Sequence, residues 1–441
     1  MFVENAYPQD TRVKNEADAL TAAGYSVIVV ALQKRNQPRA EVVAGVQVYR
    51  LPRLELFDKT PRENPALLER LQIKFRSLLG YVSEYVYFTT ACFAMSVYVL
   101  FKHGFDAIHA HNPPDTLFAV ALPYKLLGKK YVFDHHDLCP ELYRSRYGAP
   151  HDLVARTLQF VEWCNLKLAN VTIATNESYR EAHIARGGRH PDRVFVVRNG
   201  PNRSMMELPP PPSARLRGMH KTILCYVGSL NPQDGVDYLL RSLRHLVYDL
   251  KRSDFYCVII GHGDSLEDLR RLATELKLDA HVELTGFVSD QQLREYLSAA
   301  DICMDPDPSS PLNDVSTWIK IMEYMAYGKP IVSFDLKETR FSAQAAAVFV
   351  PCNDELAFAQ ATAALMDDPQ ARARMGRFGR DRVERDLQWS VVSRNLLAAY
   401  ASLRLLHAAQ SAPATGTVVP SHQPSSPNRV TQMTEHRTER L

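Results

Sequence analysis

Residues 311–335, PLNDVSTWIKIMEYMAYGKPIVSFD, hold the side chains with the clearest chemical use. Ser316 and Thr317 are helix-start residues, and Gly328-Lys329-Pro330 is a helix stop followed by a β-branched run. A helix to about Tyr327 puts Ser316, Lys320, Glu323 and Tyr327 on one face, at spacings of four, three and four, with Ile319, Met322 and Ala326 towards a core. A helix start presents backbone N–H groups that lack intrahelical partners, and a lysine one turn in adds positive charge. Phosphate or diphosphate suits such an end. Asn313, Ser316 and Thr317 would add neutral hydrogen bonds, and Glu323 is placed to accept from sugar hydroxyls. The same i, i+3 spacing fits a plain surface ion pair of Lys320 with Glu323 just as well.

A second group lies earlier. Residues 132–138, VFDHHDL, end a β-branched run in His135, His136 and Asp137, while His109 and His111 alternate on one face of another such run. Four histidines could hold a metal, but no further carboxylate shares the spacing, so no metal ligand is assigned. In residues 5–13, NAYPQDTRV, Asp10 and Arg12 are the polar candidates, although an aspartate before a helix also serves as its cap.

Short β-branched runs alternating with amphipathic stretches position these groups, the pattern of parallel sheets covered by helices on both faces. The expected strands are 26–32, 42–51, 105–109, 130–133, 171–174 and 194–197 in the first half. In the second half they are 222–227, 255–260, 281–284, 302–304, 330–334 and 347–350. Residues 1–3 read as the end of a first strand that is either very short or begins upstream. Four consecutive prolines, Pro209 to Pro212, cannot join a helix or a sheet interior and mark a linker. The expected organisation is a domain over 1–206, a linker over 207–221, a second domain over 222–390, and a C-terminal helix over 391–406 that returns to the first domain. A disordered tail rich in Ser, Pro, Thr and Gln is expected over 407–441. Two doubly wound domains imply a cleft between their strand ends.

The 441 residues carry a net charge of +3, too balanced for non-specific nucleic-acid binding, and nucleic acid is not an expected partner. Seven cysteines, widely spaced and without a C-x-x-C pair, suggest neither a disulfide framework nor a zinc knuckle, and a reducing cytoplasm fits them. The start lacks the pattern of a signal peptide. Residues 86–100, VYFTTACFAMSVYVL, fall short of a bilayer span and read first as a buried helix. An interfacial helix at the inner face of a membrane is the second reading, because Arg70, Lys74, Arg76 and Lys102 flank the stretch.

Residues 320–333 resemble the nucleotide-binding signature of glycosyltransferases with two Rossmann-like domains, the GT-B fold, in particular the large retaining family 4. The K-x-x-E-Y-M-A form found here marks a variant subgroup. The resemblance spans nearly the whole chain before the tail. Val227-Gly228-Ser229 with Gly235-Val236-Asp237 is similar to the first loop and helix of the nucleotide domain. Ile259-Ile260-Gly261-His262-Gly263 matches its second strand and glycine turn, and Leu284-Thr285-Gly286-Phe287-Val288 the loop that holds the base. Residues 300–306 match the strand before the signature helix. The lone Gly261-x-Gly263 does not extend to G-x-G-x-x-G, which argues against an NAD oxidoreductase.

By this resemblance Glu323 binds the nucleotide ribose, and Gly228, Ser229, Gly261, Gly263, Phe287 and Val288 belong to the donor site. His136 contacts the donor sugar or orients the acceptor, with Lys320 and Glu323 completing the catalytic set. Asp10, Arg12, His136 and Asp137 line the acceptor side, His135 packs behind, and Asn199-Gly200 is a hinge. The implied activity is metal-independent, cofactor-free transfer from a nucleoside-diphosphate sugar, UDP-linked by expectation, to a saccharide or lipid-linked saccharide acceptor in polysaccharide or glycoconjugate synthesis. The sequence departs from the family where many members place an Arg and a Lys to hold the diphosphate. Ser229 and Asp234 stand there, and Val315 occupies the position eight before Glu323 where a second glutamate is usual. Lys320 is the expected substitute for the lost charge. An epimerase of the same fold, or a non-catalytic nucleotide-sugar-binding partner subunit, stays open.

Overall fold

The computed structural model describes residues 1–54, 67–147, 152–201 and 203–405. The tail expected over 407–441 lies outside the described residues, as do the side chains of Arg70, Lys74 and Arg76. The first domain runs β1 (Phe2–Ala6), α1 (Thr11–Ala22), β2 (Ile28–Leu32), β3 (Ala40–Val43), β4 (Val46–Leu51), α2 (Leu67–His103), β5 (Ala107–His111) and α3 (Phe118–Leu126). It continues with β6 (Lys130–His135), α4 (Cys139–Tyr147), α5 (Leu153–Leu168), β7 (Val171–Ala174), α6 (Glu177–Gly187) and β8 (Val194–Val196). The second runs α7 (Ala214–Arg217), β9 (Thr222–Val227), α8 (Val236–Tyr248), β10 (Phe255–Ile260), α9 (Leu266–Glu275), β11 (Val282–Gly286), α10 (Asp290–Ala299) and β12 (Ile302–Asp305). Then come α11 (Ile319–Ala326), β13 (Ile331–Phe334), α12 (Lys337–Ala343), β14 (Ala347–Val350), α13 (Glu355–Asp367), α14 (Pro369–Arg382) and α15 (Trp389–Ser402).

The first sheet has the order β3-β4-β2-β1-β5-β6-β7-β8, and the second β11-β10-β9-β12-β13-β14. Every pairing is parallel except β3 with β4. Parallel strands covered on both faces are near-continuous apolar runs, and β7, VTIA, and β12, ICMD, are buried at every position. The covering helices bury one stripe: in α8 it is Val236, Leu239, Leu240, Leu243 and Leu246. Helix α15 leaves the second domain and packs Leu396, Ala399 and Tyr400 into the core of the first, against Val132 and Ile173.

One strand expectation fails. Residues 42–51 form a hairpin, not a single strand, because Ala44 and Gly45 take φ of 49° and 85°, the paired positive values of a tight two-residue turn. The stretch at 1–3 belongs to a central strand, β1 (Phe2–Ala6), lying between β2 and β5. In each sheet the strand order reverses at one point, between β1 and β5 and between β9 and β12. Ligands of open α/β sheets bind at such switch points, beyond the carboxyl ends of the strands.

Candidate active site

At the switch point of the first sheet, α1, β5 and β6 deliver Arg12, Glu16, His109, His111, Asp134 and His136 to one buried cluster. Asp134 is its centre. Arg12 grips the carboxylate with two donors, Nε to Oδ2 at 2.9 Å and Nη2 to Oδ1 at 2.7 Å. His136 Nε2 lies 2.7 Å and His111 Nδ1 3.1 Å from the same Oδ2. Burial alone would raise the Asp134 pKa, but Arg12 and His136 outweigh it and hold the carboxyl well below the usual range. Arg12 also reaches Glu16 at 3.1 Å, Val197 O at 2.9 Å and Asn199 Oδ1 at 2.8 Å. Glu16 has no exposure, and burial followed by the adjacent Asp134 charge pushes its pKa well up. Tyr400 of α15 closes the cluster with its hydroxyl 2.9 Å from His109 Nδ1.

Ligand atoms of Glu16, His109, His111 and Asp134 lie within 4.8 Å of one another, a spacing that a cation could use. The Arg12 guanidinium bridges both carboxylates and already supplies a positive charge there.

This geometry revises the acceptor-side set. Arg12 does not line the cleft; it is buried and holds Asp134. Asp10 caps α1, accepting from Val13 N at 3.0 Å. Asp137 is exposed, and its carbonyl accepts from Asn112 Nδ2 at 2.7 Å. His136 keeps 18% of its side chain exposed, and Asn112 Oδ1 fixes its backbone N–H at 2.6 Å. His135 is fully buried against His183, with ring nitrogens 2.9 Å apart. The signal for Asp134 was present in the sequence: in a strand it shares a face with His136, two residues on.

At the second switch point, glycine loops pack backbone on backbone. A Cβ on Gly261 would lie 1.8 Å from Gly228 O, one on Gly263 2.4 Å from Leu230 O, and one on Gly235 2.1 Å from Pro306 O. Gly228, Gly261 and Gly263 thus form the wall of this crevice by close approach. Ser229 accepts from the Tyr226 hydroxyl through its carbonyl at 2.9 Å. Asp234 caps its own loop, accepting from Asn231 N at 2.9 Å. Phe287 projects beyond β11, largely exposed, beside half-buried Val288.

The expectation for Lys320 is corrected. Its ammonium is buried between two carboxylates, 2.5 Å from Asp307 Oδ2 and 3.3 Å from Asp305 Oδ1, at the end of β12. Burial would lower the Lys320 pKa, but Asp307, Tyr226 and Asp305 more than reverse that and raise it. Burial and the neighbouring Asp305 raise Asp307. Lys320 therefore arrives with its counter-charge in place and offers no spare positive charge. Helix α11 begins later than expected, and its N-cap residue is Trp318, which makes no side-chain capping bond. Asn313 ties loops together, donating to Gln233 O at 2.8 Å and Pro308 O at 2.9 Å, and the Ser316 hydroxyl donates to Leu312 O at 2.7 Å. Glu323 is buried on the first turns of α11.

Thr317 belongs to the junction between the domains. Its hydroxyl accepts from Asn176 Nδ2 at 3.0 Å, and Asn176 also reaches Val315 O at 2.8 Å. Glu338 of α12 accepts from Ser178 N and Oγ at 3.1 and 2.7 Å and from Arg198 Nη2 at 2.8 Å. Gly200 sits against Leu387 O, where the chain passes into α15. Asn176, Arg198 and Glu338 had no sequence signal, because their partners lie more than 100 positions away. All of these residues follow the carboxyl ends of strands, so the two domains meet through the loops and helix starts at the ends where ligands bind.

Two doubly wound domains that face each other with the carboxyl ends of their strands define the GT-B architecture. Residues 9–200 match the glycosyl transferase 4-like domain and residues 221–368 the glycosyl transferases group 1 domain, and the chain belongs to this glycosyltransferase family. An uncharacterised glycosyltransferase of Methanocaldococcus jannaschii is 24% identical over 72% of this chain and 74% of its own length. The GDP-mannose-dependent alpha-(1-6)-phosphatidylinositol monomannoside mannosyltransferase of Mycolicibacterium smegmatis is 29% identical over 64% of this chain and 75% of its own. Among solved structures, sucrose-phosphate synthase of Thermosynechococcus elongatus superposes with TM-score 0.65 at 21% identity, over 91% of this chain and 94% of its own. HepE of Anabaena in complex with UDP-glucose gives TM-score 0.65 at 16% identity, over 91% and 98%.

Proposed function

We propose that the chain transfers a glycosyl group from a nucleoside-diphosphate sugar to a saccharide or lipid-linked saccharide acceptor, with retention at the anomeric carbon. The observation that carries this reading is that Asn176 binds Val315 O and Thr317 while Val315 packs with Leu138, which brings the loop of His136 beside the loop that leads into the uncapped start of α11, with Glu323 a turn behind. Glu323 accepts from the ribose hydroxyls. With Lys320 neutralised by Asp305 and Asp307, the diphosphate is met by the N–H groups of the first turn of α11, whose dipole favours negative charge. Developing charge on the leaving diphosphate is the term such a site must stabilise. Asp134 and Arg12 fix the ring of His136, which orients a sugar hydroxyl in the cleft. No metal or cofactor enters the scheme, and turnover undiminished by a chelator is the expected outcome.

Neighbours solved with UDP-glucose make UDP the first donor base to test, and the GDP-mannose-dependent relative makes GDP the second. The experiment is calorimetric titration with UDP, GDP, dTDP, ADP and their sugar conjugates, followed by product analysis with saccharide acceptors. One nucleotide is expected to bind, and Glu323→Gln to weaken it about tenfold or more, the cost of a lost charge-assisted hydrogen bond. Absence of binding by every nucleotide overturns the reading. The pairing of Lys320 favours one alternative, a nucleotide-sugar-binding partner subunit without turnover. Binding with neither transfer nor slow hydrolysis of the donor would establish it.

A further inference from the structure

Helices α2, α3 and α5 lie side by side on one face of the first sheet, α2 against α3 and α3 against α5. Their inner sides are core: Phe88, Cys92 and Val99 of α2 pack with Val120, Tyr124 and Leu166. Their outer sides do not become polar, as the solvated side of a surface helix should. Of the seventeen large hydrophobic residues exposed among the described residues, eleven are on or next to these three helices, and none is on α1 or α15 across the sheet. On α2, Val82, Val86, Phe93 and Phe101 follow one stripe, with Phe101 85% exposed. On α5 the outward stripe is Leu153, Arg156, Phe160, Trp163 and Lys167, two cations bracketing a stacked aromatic pair. Helix α3 and its exit add exposed Leu122, Leu126 and Leu127, with half-buried Lys125 bonded to Asn170 at 2.8 Å and Lys129 paired with Asp106 at 3.9 Å.

We propose that this face docks on an anionic lipid surface. A patch this large on one side of a soluble domain marks an interaction site. Its own cations choose the occupant, because a second copy would set Arg156 and Lys167 against their equals, whereas an anionic bilayer neutralises them. Trp163 and Tyr98 have the amphipathic rings suited to the headgroup level, Phe160 is an apolar ring stacked on Trp163, and the Lys102 and Lys167 ammoniums lie over Tyr98 and Trp163. The segment Val82–His103 is long and apolar enough to cross a membrane by composition, yet its buried side is committed to the sheet, so α2 lies along the surface instead of spanning it. The inference deepens the glycosyl-transfer reading by making the acceptor lipid-linked.

Flotation of the full chain with vesicles of phosphatidylcholine alone and with a third phosphatidylglycerol tests it, and needs neither donor nor acceptor, so its failure leaves glycosyl transfer standing. The wild type is expected to float with the anionic vesicles, less so in 0.5 M salt, and poorly with neutral ones. Each basic side chain near such a surface is worth about fivefold in partitioning, so Arg156→Gln with Lys167→Gln should cut binding about 25-fold. Phe160→Ser with Trp163→Ser should release the chain while its melting temperature stays unchanged, since both rings are exposed. A wild type that does not float overturns the proposal. So does a concentration-dependent dimer that these variants dissociate, which would make the face an interface between copies.

Discussion

The first-domain cluster makes a quantitative demand on stability. Arg12, Asp134 and Glu16 are all buried, and Asp134 is held low by Arg12 while Glu16 is pushed up by burial and by Asp134, which predicts one charge between the two carboxylates. Asp134→Asn removes the charge that two Arg12 nitrogens grip at 2.7 and 2.9 Å. Breaking a buried ion pair by deleting one partner costs about 3–5 kcal/mol. Here Glu16, 3.1 Å from Arg12, can give up its proton and take over, which puts the expected loss at the low end, about 3 kcal/mol. For a domain of this size that is a melting shift of about 6–12 °C. Glu16→Gln alone replaces a neutral group by a neutral group and should cost under about 1 kcal/mol.

The double variant separates this account from a simple sum of contacts. With both substitutions Arg12 has no buried carboxylate left, so the loss should exceed the sum of the single changes by about 2 kcal/mol, within the range seen for coupled neighbours. Thermal and urea unfolding of the four proteins, followed by circular dichroism, give the cycle directly. Additivity within about 0.5 kcal/mol would refute the shared-proton arrangement, as would a Glu16→Gln loss equal to that of Asp134→Asn.

Three further outcomes follow from other sites. Glu162 is raised to about 7 by burial, against the partial offset of Arg186. Its folded pKa exceeds its unfolded one of about 4.5, so the stability it contributes is full below that value and is lost as pH rises towards 7. Glu162→Gln should therefore gain in melting temperature relative to wild type between pH 5 and pH 7.5, and a pH-independent difference would contradict the assignment. Glu338→Ala strands Arg198 at the junction and should loosen the two domains, read as a larger radius of gyration by small-angle scattering and as separated melting transitions. Gly263→Ala drives a Cβ into the Leu230 backbone and should abolish nucleotide binding, with the first-domain transition unchanged.

Much of this was legible in the chain. The β-branched runs put eleven of the twelve expected strands nearly in place because fully buried parallel strands cannot hide their composition. The hairpin at Ala44-Gly45 escaped, since alanine is a rare occupant of a positive-φ turn position and no Asn-Gly marked it. The order of the glycine loops gave the second crevice, whose glycines are required by backbone contact. What one-dimensional spacing could not give was charge state. Lys320 reads as a free cation when only its own helix is considered, where Glu323 is the one acid within reach. Asp305 and Asp307 approach it from the strand before, thirteen or more positions away, and only the folded sheet brings them to the ammonium. The same holds for Arg12, which reads as a cleft residue until β6 brings Asp134 beneath it. In both crevices the exposed-looking cation is a buried support, and the groups left facing the cleft are a histidine ring and a helix start. This shifts the burden of diphosphate recognition from side-chain charge to main-chain N–H groups. A neutral variant such as Lys320→Met should therefore act chiefly through stability, by stranding Asp305 and Asp307, with nucleotide affinity following the folded fraction.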